Sequence, residues 1–191
     1  MLFRSATLAL VLVAASARAD DDGVKVASEK VAGSDVPVNV AEGVIDAPAA
    51  DVWKVVSTCA DYAKTMPRIV KSKELAREGD EASVWKVKCE ITVGLPFPLS
   101  NLTGVTQATH TVEKDVKYVR AWTLVSGDYH MNTGSWTLVA IDGGKRTKAT
   151  YRIQVNPKVA LPTSWMASAQ RNSLKDVIVR LRETSKAVKS P

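Results

Sequence analysis

The sequence predicts an α+β domain in which a run of antiparallel strands is preceded by short helices and closed by one long helix. Three observations carry this prediction. Between residues 69 and 155 apolar and polar side chains alternate with a period of two, in blocks separated by turn sequences. Before that run, Val52, Val55, Val56 and Cys59 fall on one helical stripe just after Pro48. After it, Trp165, Met166, Ala169, Leu174, Val177, Ile178 and Leu181 form a longer stripe.

Residues 20–35 are small, charged and polar, with only Val24 and Val26 alternating, and read as a partly ordered lead-in. Val36, Val38 and Val40 followed by Gly43-Val44-Ile45 make residues 36–45 the first strand. Asp46-Ala47-Pro48 places an acid where it can cap and a proline at the first helical turn, so a helix follows and ends by Asp61. A second short helical turn over residues 63–68 breaks at Met66-Pro67, because the residue before proline avoids the α region. Residues 69–77 and 82–93 flank Glu78-Gly79-Asp80-Glu81 and predict a hairpin. In its second strand Trp85, Val87, Cys89, Ile91 and Val93 face one way, and Lys86, Lys88, Glu90 and Thr92 the other. Gly94-Leu95-Pro96-Phe97-Pro98-Leu99 interrupts the sheet, since prolines one residue apart cannot both sit in a ladder. Strands at 103–112, 117–125, 135–141 and 147–155 follow, with turns at Glu113-Lys114-Asp115, Ser126-Gly127-Asp128 and Asp142-Gly143-Gly144. Leu161-Pro162-Thr163-Ser164 supplies a capping hydroxyl for a helix that reaches about Val188.

The ends and the composition bound location and partners. Arg4, the apolar and small run from Ser5 to Ala17, and Ala17-Arg18-Ala19 before Asp20, Asp21 and Asp22 have the order of a secretory signal. Residues 1–19 are therefore expected to be removed, and the protein to be periplasmic or secreted. The apolar run is shorter than the roughly 20 residues that span a bilayer. Cleavage removes Arg4 and Arg18 and no acid, so the net charge of +6 falls by two to +4. Basic residues alternate with apolar or acidic ones, as in Lys71-Ser72-Lys73-Glu74, so no nucleic-acid face is expected, while weak attraction to anionic lipid headgroups is allowed. One domain suffices, read as a monomer. Cys59 and Cys89 form no C-x-x-C pair and have no histidines at metal spacing; a disulfide between them and two buried thiols both remain open.

The order of elements and a set of short motifs resemble the bacterial polyketide-cyclase/START superfamily, of helix-grip fold, and especially its coenzyme-Q-binding-like members. The motifs are Val44-Ile45-Asp46-Ala47-Pro48 with Val52-Trp53, Tyr62, Met66-Pro67, Leu99-Ser100, Ser126-Gly127-Asp128, Gly134-Ser135-Trp136-Thr137-Leu138, Thr150-Tyr151-Arg152 and Leu161-Pro162, spread over residues 43–183. The resemblance implies a curved antiparallel sheet wrapped around the long C-terminal helix, with two short helices after the first strand. It makes residues 36–188 a START-like domain whose cavity, between sheet and helix, takes a lipid, quinone, sterol or polyketide.

Strand and helix parity then nominates the ligand wall. On the sheet it comprises Trp85, Val87, Ile91, Trp122, Leu124, Trp136, Tyr151 and Ile153; on the helix, Trp165, Met166 and Ala169. Phe97 marks the proline loop as a rim, because loops are normally polar. Arg120 shares parity with Trp122 and Leu124 and would point inward, where its charge needs an acid, a carbonyl or a ligand headgroup; a bulge, or a place near the rim, would instead let it reach water. No nucleophile–base set, metal set or cofactor loop is visible, and no cofactor is expected. His130 falls in a predicted turn, and the face of His110 is ambiguous. Three functions remain. A carrier of a hydrophobic ligand predicts a continuous cavity with few polar atoms. A cyclase-like enzyme needs two convergent ionisable groups inside. A partner-binding module predicts a filled core. The carrier is the reading adopted.

Overall fold

The computed structural model describes residues 23–159 and 163–187, and the side chains of residues 160–172 lie outside that description. Eight strands form one sheet: β1 (Lys25–Val31), β2 (Ser34–Ile45), β3 (Ile69–Asp80), β4 (Val84–Val93), β5 (Leu102–Glu113), β6 (Lys117–Gly127), β7 (Tyr129–Ile141) and β8 (Arg146–Pro157). Among the described residues three helices accompany them: α1 (Ala49–Ser57), α2 (Tyr62–Thr65) and α3 (Thr163–Ala187), with a 3-10 turn at Cys59–Asp61 between α1 and α2. The strand order is β1-β2-β8-β7-β6-β5-β4-β3, and all seven ladders are antiparallel. The sheet is curved and open, and α3 lies on the face that also receives α1.

Side chains explain how closely the helices sit. Leu174, Ile178 and Leu181 of α3 are buried at helical spacing. Gly43 lets β2 meet them, since a Cβ there would come within 2.6 Å of Ile178 Cγ2. Arg182 Nε donates to the Val44 carbonyl at 2.8 Å and Arg180 to the Lys64 carbonyl at 2.9 Å, tying α3 to β2 and to α2. Val52, Trp53, Val55 and Val56 of α1 enter the same core. Cys59 and Cys89 form a disulfide across a separation of 30 residues, fastening the α1–α2 connection to β4. Closing a loop of that length stabilises by about 3.5 kcal/mol in the chain-entropy account.

Four expectations are corrected. The lead-in is, from Lys25, a paired strand, with Lys25 opposite Glu42 and Val31 opposite Ser34; its sequence looks like lead-in because five of its seven residues are exposed at the sheet's edge. Asp46 does not cap α1: Pro48 occupies the cap position, and its carbonyl accepts the Asp51 and Val52 amides at 3.0 and 3.2 Å. The β3–β4 turn moves beyond Asp80, whose carboxylate accepts the Ala82 amide at 2.9 Å and the Ser83 hydroxyl at 3.0 Å. Finally, β7 begins at Tyr129 rather than near Ser135, so His130 lies exposed in a strand instead of a turn. The segment before Ser135 is polar and shows no apolar alternation, yet it is held by the ladder to β8 from Tyr129↔Pro157 onward.

One half of the sheet's inner face is solidly filled. Trp53 meets Trp85 at 5.8 Å and Tyr118 at 5.5 Å between ring centroids, and His110 lies between the tryptophans at 5.3 and 4.6 Å. His110 is fully buried, and neither ring nitrogen has a partner among the described residues. Burial, with the charges of Arg120 and Arg77 adding to it, pushes its pKa from 6.5 down to about 3. The unfolded chain therefore holds more protons between those two values, and stability should fall as pH drops through that window, by up to roughly 1.4 kcal/mol per pH unit. Denaturant melts from pH 7 to pH 4 check this: His110→Phe should lose that part of the slope whatever its absolute stability. An unchanged slope would mean that His110 is not the group responsible.

Candidate ligand cavity

The other half of the inner face is hollow. A cavity of about 280 Å³ lies between the sheet, α3 and the segment that runs from α2 into β3. Interiors are otherwise packed to the density of organic crystals, and small-molecule sites typically occupy about 300–1,000 Å³, so this void has the size of a small site rather than of a packing defect.

Its walls follow from strand parity. Ile91 and Val93 come from β4, Leu102, Gly104 and Thr106 from β5, and Arg120 and Trp122 from β6. Tyr129 and Trp136 of β7 face Tyr151, Ile153 and Val155 of β8, and Asn39 of β2 joins them. Leu174 and Val177 of α3 form the opposite wall, and Tyr62, Met66 and Pro67 one side. Arg68, Leu95 and Pro157 lie where strands end, and their partial exposure marks the open side. Arg68 adopts φ 60°, and its carbonyl is held by the Gly94 amide at 2.8 Å.

An aromatic floor is fixed by its own contacts. Tyr151 stacks on Trp122 at 5.9 Å and lies 4.5 Å from Trp136. Trp122 Nε1 donates to Asn132 at 3.1 Å, and the Thr133 hydroxyl donates to the Trp122 carbonyl at 3.0 Å. Gly134 makes room for that indole, because a Cβ there would stand 2.5 Å from the Trp122 ring and 2.3 Å from the Arg152 carbonyl. Burial raises the pKa of Tyr62 and of Tyr151, and lifts Tyr129 to about 12, so all three stay protonated at neutral pH. The Tyr62 hydroxyl donates to the Val56 carbonyl.

Arg120 is the charge at the inner end. It is 2% exposed and its guanidinium lies 5.4 Å from the Tyr62 ring centroid and 5.3 Å from that of Trp122. One of its Nη atoms approaches Cys89 Sγ at 3.7 Å, while Nε has no partner. Among the described residues no carboxylate lies within ion-pair distance of it, and no cluster of three or more His, Cys, Asp and Glu is placed to hold a metal. Although His110 is Arg120's cross-strand neighbour, it is walled off from the cavity between Trp53 and Trp85.

Of the residues nominated from sequence, the structure brings Ile91, Arg120, Trp122, Trp136, Tyr151 and Ile153 together around the cavity. Trp85 and Val87 face inward but are buried in the core and outside the lining, Trp85 against Trp53 of α1. Leu124 is half-buried beside Gly104 and outside the lining. It keeps the inward parity, opposite Thr106, but stands at the last position before β6 bulges against β5, and β6 stops pairing with β7 after Trp122. Phe97 is 97% exposed; Leu95 of the same loop takes the place expected of it. The side chains of Trp165, Met166 and Ala169 lie outside the described residues, though their backbone is helical. Sequence reasoning missed the segment Tyr62–Ile69 and the polar liners Asn39, Thr106 and Asn132. Thr106 was within reach, since it shares parity with Leu102, Gly104 and Ala108 on β5.

Known proteins share this architecture. A STAR-related lipid transfer protein from Xanthomonas axonopodis superposes with a TM-score of 0.74 at 23% identity, covering 90% of this chain and 98% of that one. Human StAR-related lipid transfer protein 5 gives a TM-score of 0.72 at 12% identity over 89% and 85% of the two chains. The Zhui aromatase/cyclase from a Streptomyces species gives 0.58 at 19% identity over 81% and 97%. No curated protein matches the sequence. Residues 45–182, well over half the chain, match the family model described as polyketide cyclase / dehydrase and lipid transport, and the chain belongs to that family.

Proposed function

We propose that this protein is an exported carrier that holds a hydrophobic molecule of the lipid, quinone or sterol class between its sheet and α3. The observation that carries the reading is the unfilled volume of 280 Å³, faced by aromatic and aliphatic side chains, in a domain whose other inward face is solidly packed. Burying apolar ligand surface there yields about 0.8 kcal/mol per methylene, which offsets the cost of association once several carbons are enclosed. A filled-core module has no use for such a void. Carriage is favoured over chemistry because, among the described residues, the ionisable side chains that line the cavity besides Arg120 and Arg68 are Tyr62, Tyr129 and Tyr151, whose pKa values burial raises, so that they stay protonated at neutral pH. Arg120's neighbour His110 is buried between Trp53 and Trp85 and is not among the residues that line the cavity, so among the described residues the lining offers no imidazole or carboxylate for general acid–base work. The names of two similar structures, both lipid transfer proteins, point the same way.

Export is supported by the signal-like order of residues 1–19, which lie outside the described residues, and by the Cys59–Cys89 disulfide, a bond that persists in oxidising compartments. Sequencing the N-terminus of protein recovered outside the cytoplasm should give Asp20 first; a chain starting at Met1 would contradict the assignment.

Val177 tests the cavity from the helix side. In Val177→Trp the added ring should occupy ligand space, so the melting temperature of ligand-free protein should hold while binding of a fluorescent fatty-acid or quinone analogue is lost. Overpacking a solid core would instead cost about 1–3 kcal/mol. A destabilised variant that still binds the analogue would exclude the site.

A further inference from the structure

Taking the cavity as a ligand site, we propose that its ligand is an apolar carboxylic acid bound head-first, with the carboxylate on the guanidinium of Arg120. The inference rests on a buried cation without a counter-charge among the described residues. Arg120 is 2% exposed, and its Nη contact to Cys89 Sγ at 3.7 Å is to a weak acceptor. Tyr62 and Trp122 face the guanidinium as π-systems, which takes up part of its charge but leaves Nε unpartnered. Residues 160–172, whose side chains lie outside the described residues, contain no Asp or Glu. The other cation of the lining, Arg68, stands at the open side with Asp176 as its counter-charge at 4.0 Å. Fully buried charges are retained where something pairs with them, and here the pairing group must arrive with the ligand.

A second orphan converges on the same place. Thr106 is 4% exposed, lines the cavity and has an unpartnered hydroxyl. It is the cross-strand partner of Cys89, the residue whose sulfur Arg120 touches. A guanidinium fork and one hydroxyl together offer the donors a carboxylate accepts, and one positive charge balances one negative. A phosphate monoester brings nearly two charges and three strong acceptor oxygens, more than these donors satisfy. A neutral alcohol or a quinone carbonyl leaves the charge uncompensated. The apolar tail then runs between Ile91, Ile153, Leu174 and Val177 toward Leu95 and the open side.

Calorimetric titration of the purified protein with dodecanoate, dodecanol and dodecyl phosphate separates the cases. Wild-type protein should bind dodecanoate about 10- to 100-fold more tightly than dodecanol, the range of a hydrogen bond to a charged group. Arg120→Met should abolish that preference and leave dodecanol affinity within about threefold, since only the head interaction is removed. Arg120→Lys should retain part of it as a point charge. Melts guard against misfolding: ligand-free Arg120→Met should be at least as stable as wild type, because an uncompensated buried charge is gone. Equal binding of dodecanoate and dodecanol by the wild type, or a preference that survives in Arg120→Met, would overturn the proposal and leave the carrier reading standing. Tighter binding of dodecyl phosphate would overturn the carboxylate assignment. Failure of all three ligands to bind would remove both.

Discussion

The ladder between β2 and β8, from Asn39↔Ile153 to Ile45↔Thr147, joins parts of the chain more than a hundred residues apart, and the remainder of the molecule depends on it. It extends the sheet past β8 to β2 and β1, which is where α3 comes to rest with Ile178 over Gly43. A curved sheet of eight strands is wider than one helix can cover. The surplus inner face must then be filled by something else or left empty, and the chain does each on one half. Trp53, Trp85, His110 and Tyr118 fill the half under α1. On the other half Trp122, Trp136 and Tyr151 are braced against one another and line the cavity.

The seam between the halves concentrates the polar features. Arg120, Tyr62 and the Cys59–Cys89 bridge meet there, and the bridge holds the α1–α2 connection against β4. That connection also leads into the cavity wall, through Tyr62, Met66 and Pro67. Ser72 reinforces it from β3, its hydroxyl donating to the Ala60 carbonyl and accepting the Ala63 amide, both at 3.0 Å. The wall is thus clamped by covalent and hydrogen bonds, as suits a site formed before its ligand arrives.

Much of this was legible in the sequence, and its limits are physical. The alternation of Trp85, Val87, Cys89, Ile91 and Val93 is real, and the parity of Arg120 with Trp122 gave the right face. Parity says only inward or outward, however. The same pattern places Trp85 in a solid core and Ile91 on a cavity wall, because which half of the face α1 covers is a tertiary fact. Leu124 shows the same limit, since it keeps inward parity opposite Thr106 and yet lies outside the lining. The edge strand β1 and the start of β7 escaped notice because neither buries an apolar row: one is exposed, and the other turns polar and aromatic groups toward a void. Phe97 reads as a rim residue from its apolarity, yet only Leu95 of that loop reaches the cavity.

The central claim is that the hollow half of the sheet holds a ligand. Native mass spectrometry of protein isolated from the organism that makes it tests this most directly, followed by organic extraction of the same sample. The account predicts a population heavier than the polypeptide by one small hydrophobic molecule, which leaves on extraction and returns the bare mass. Bare polypeptide before extraction, together with nothing extractable, would contradict it.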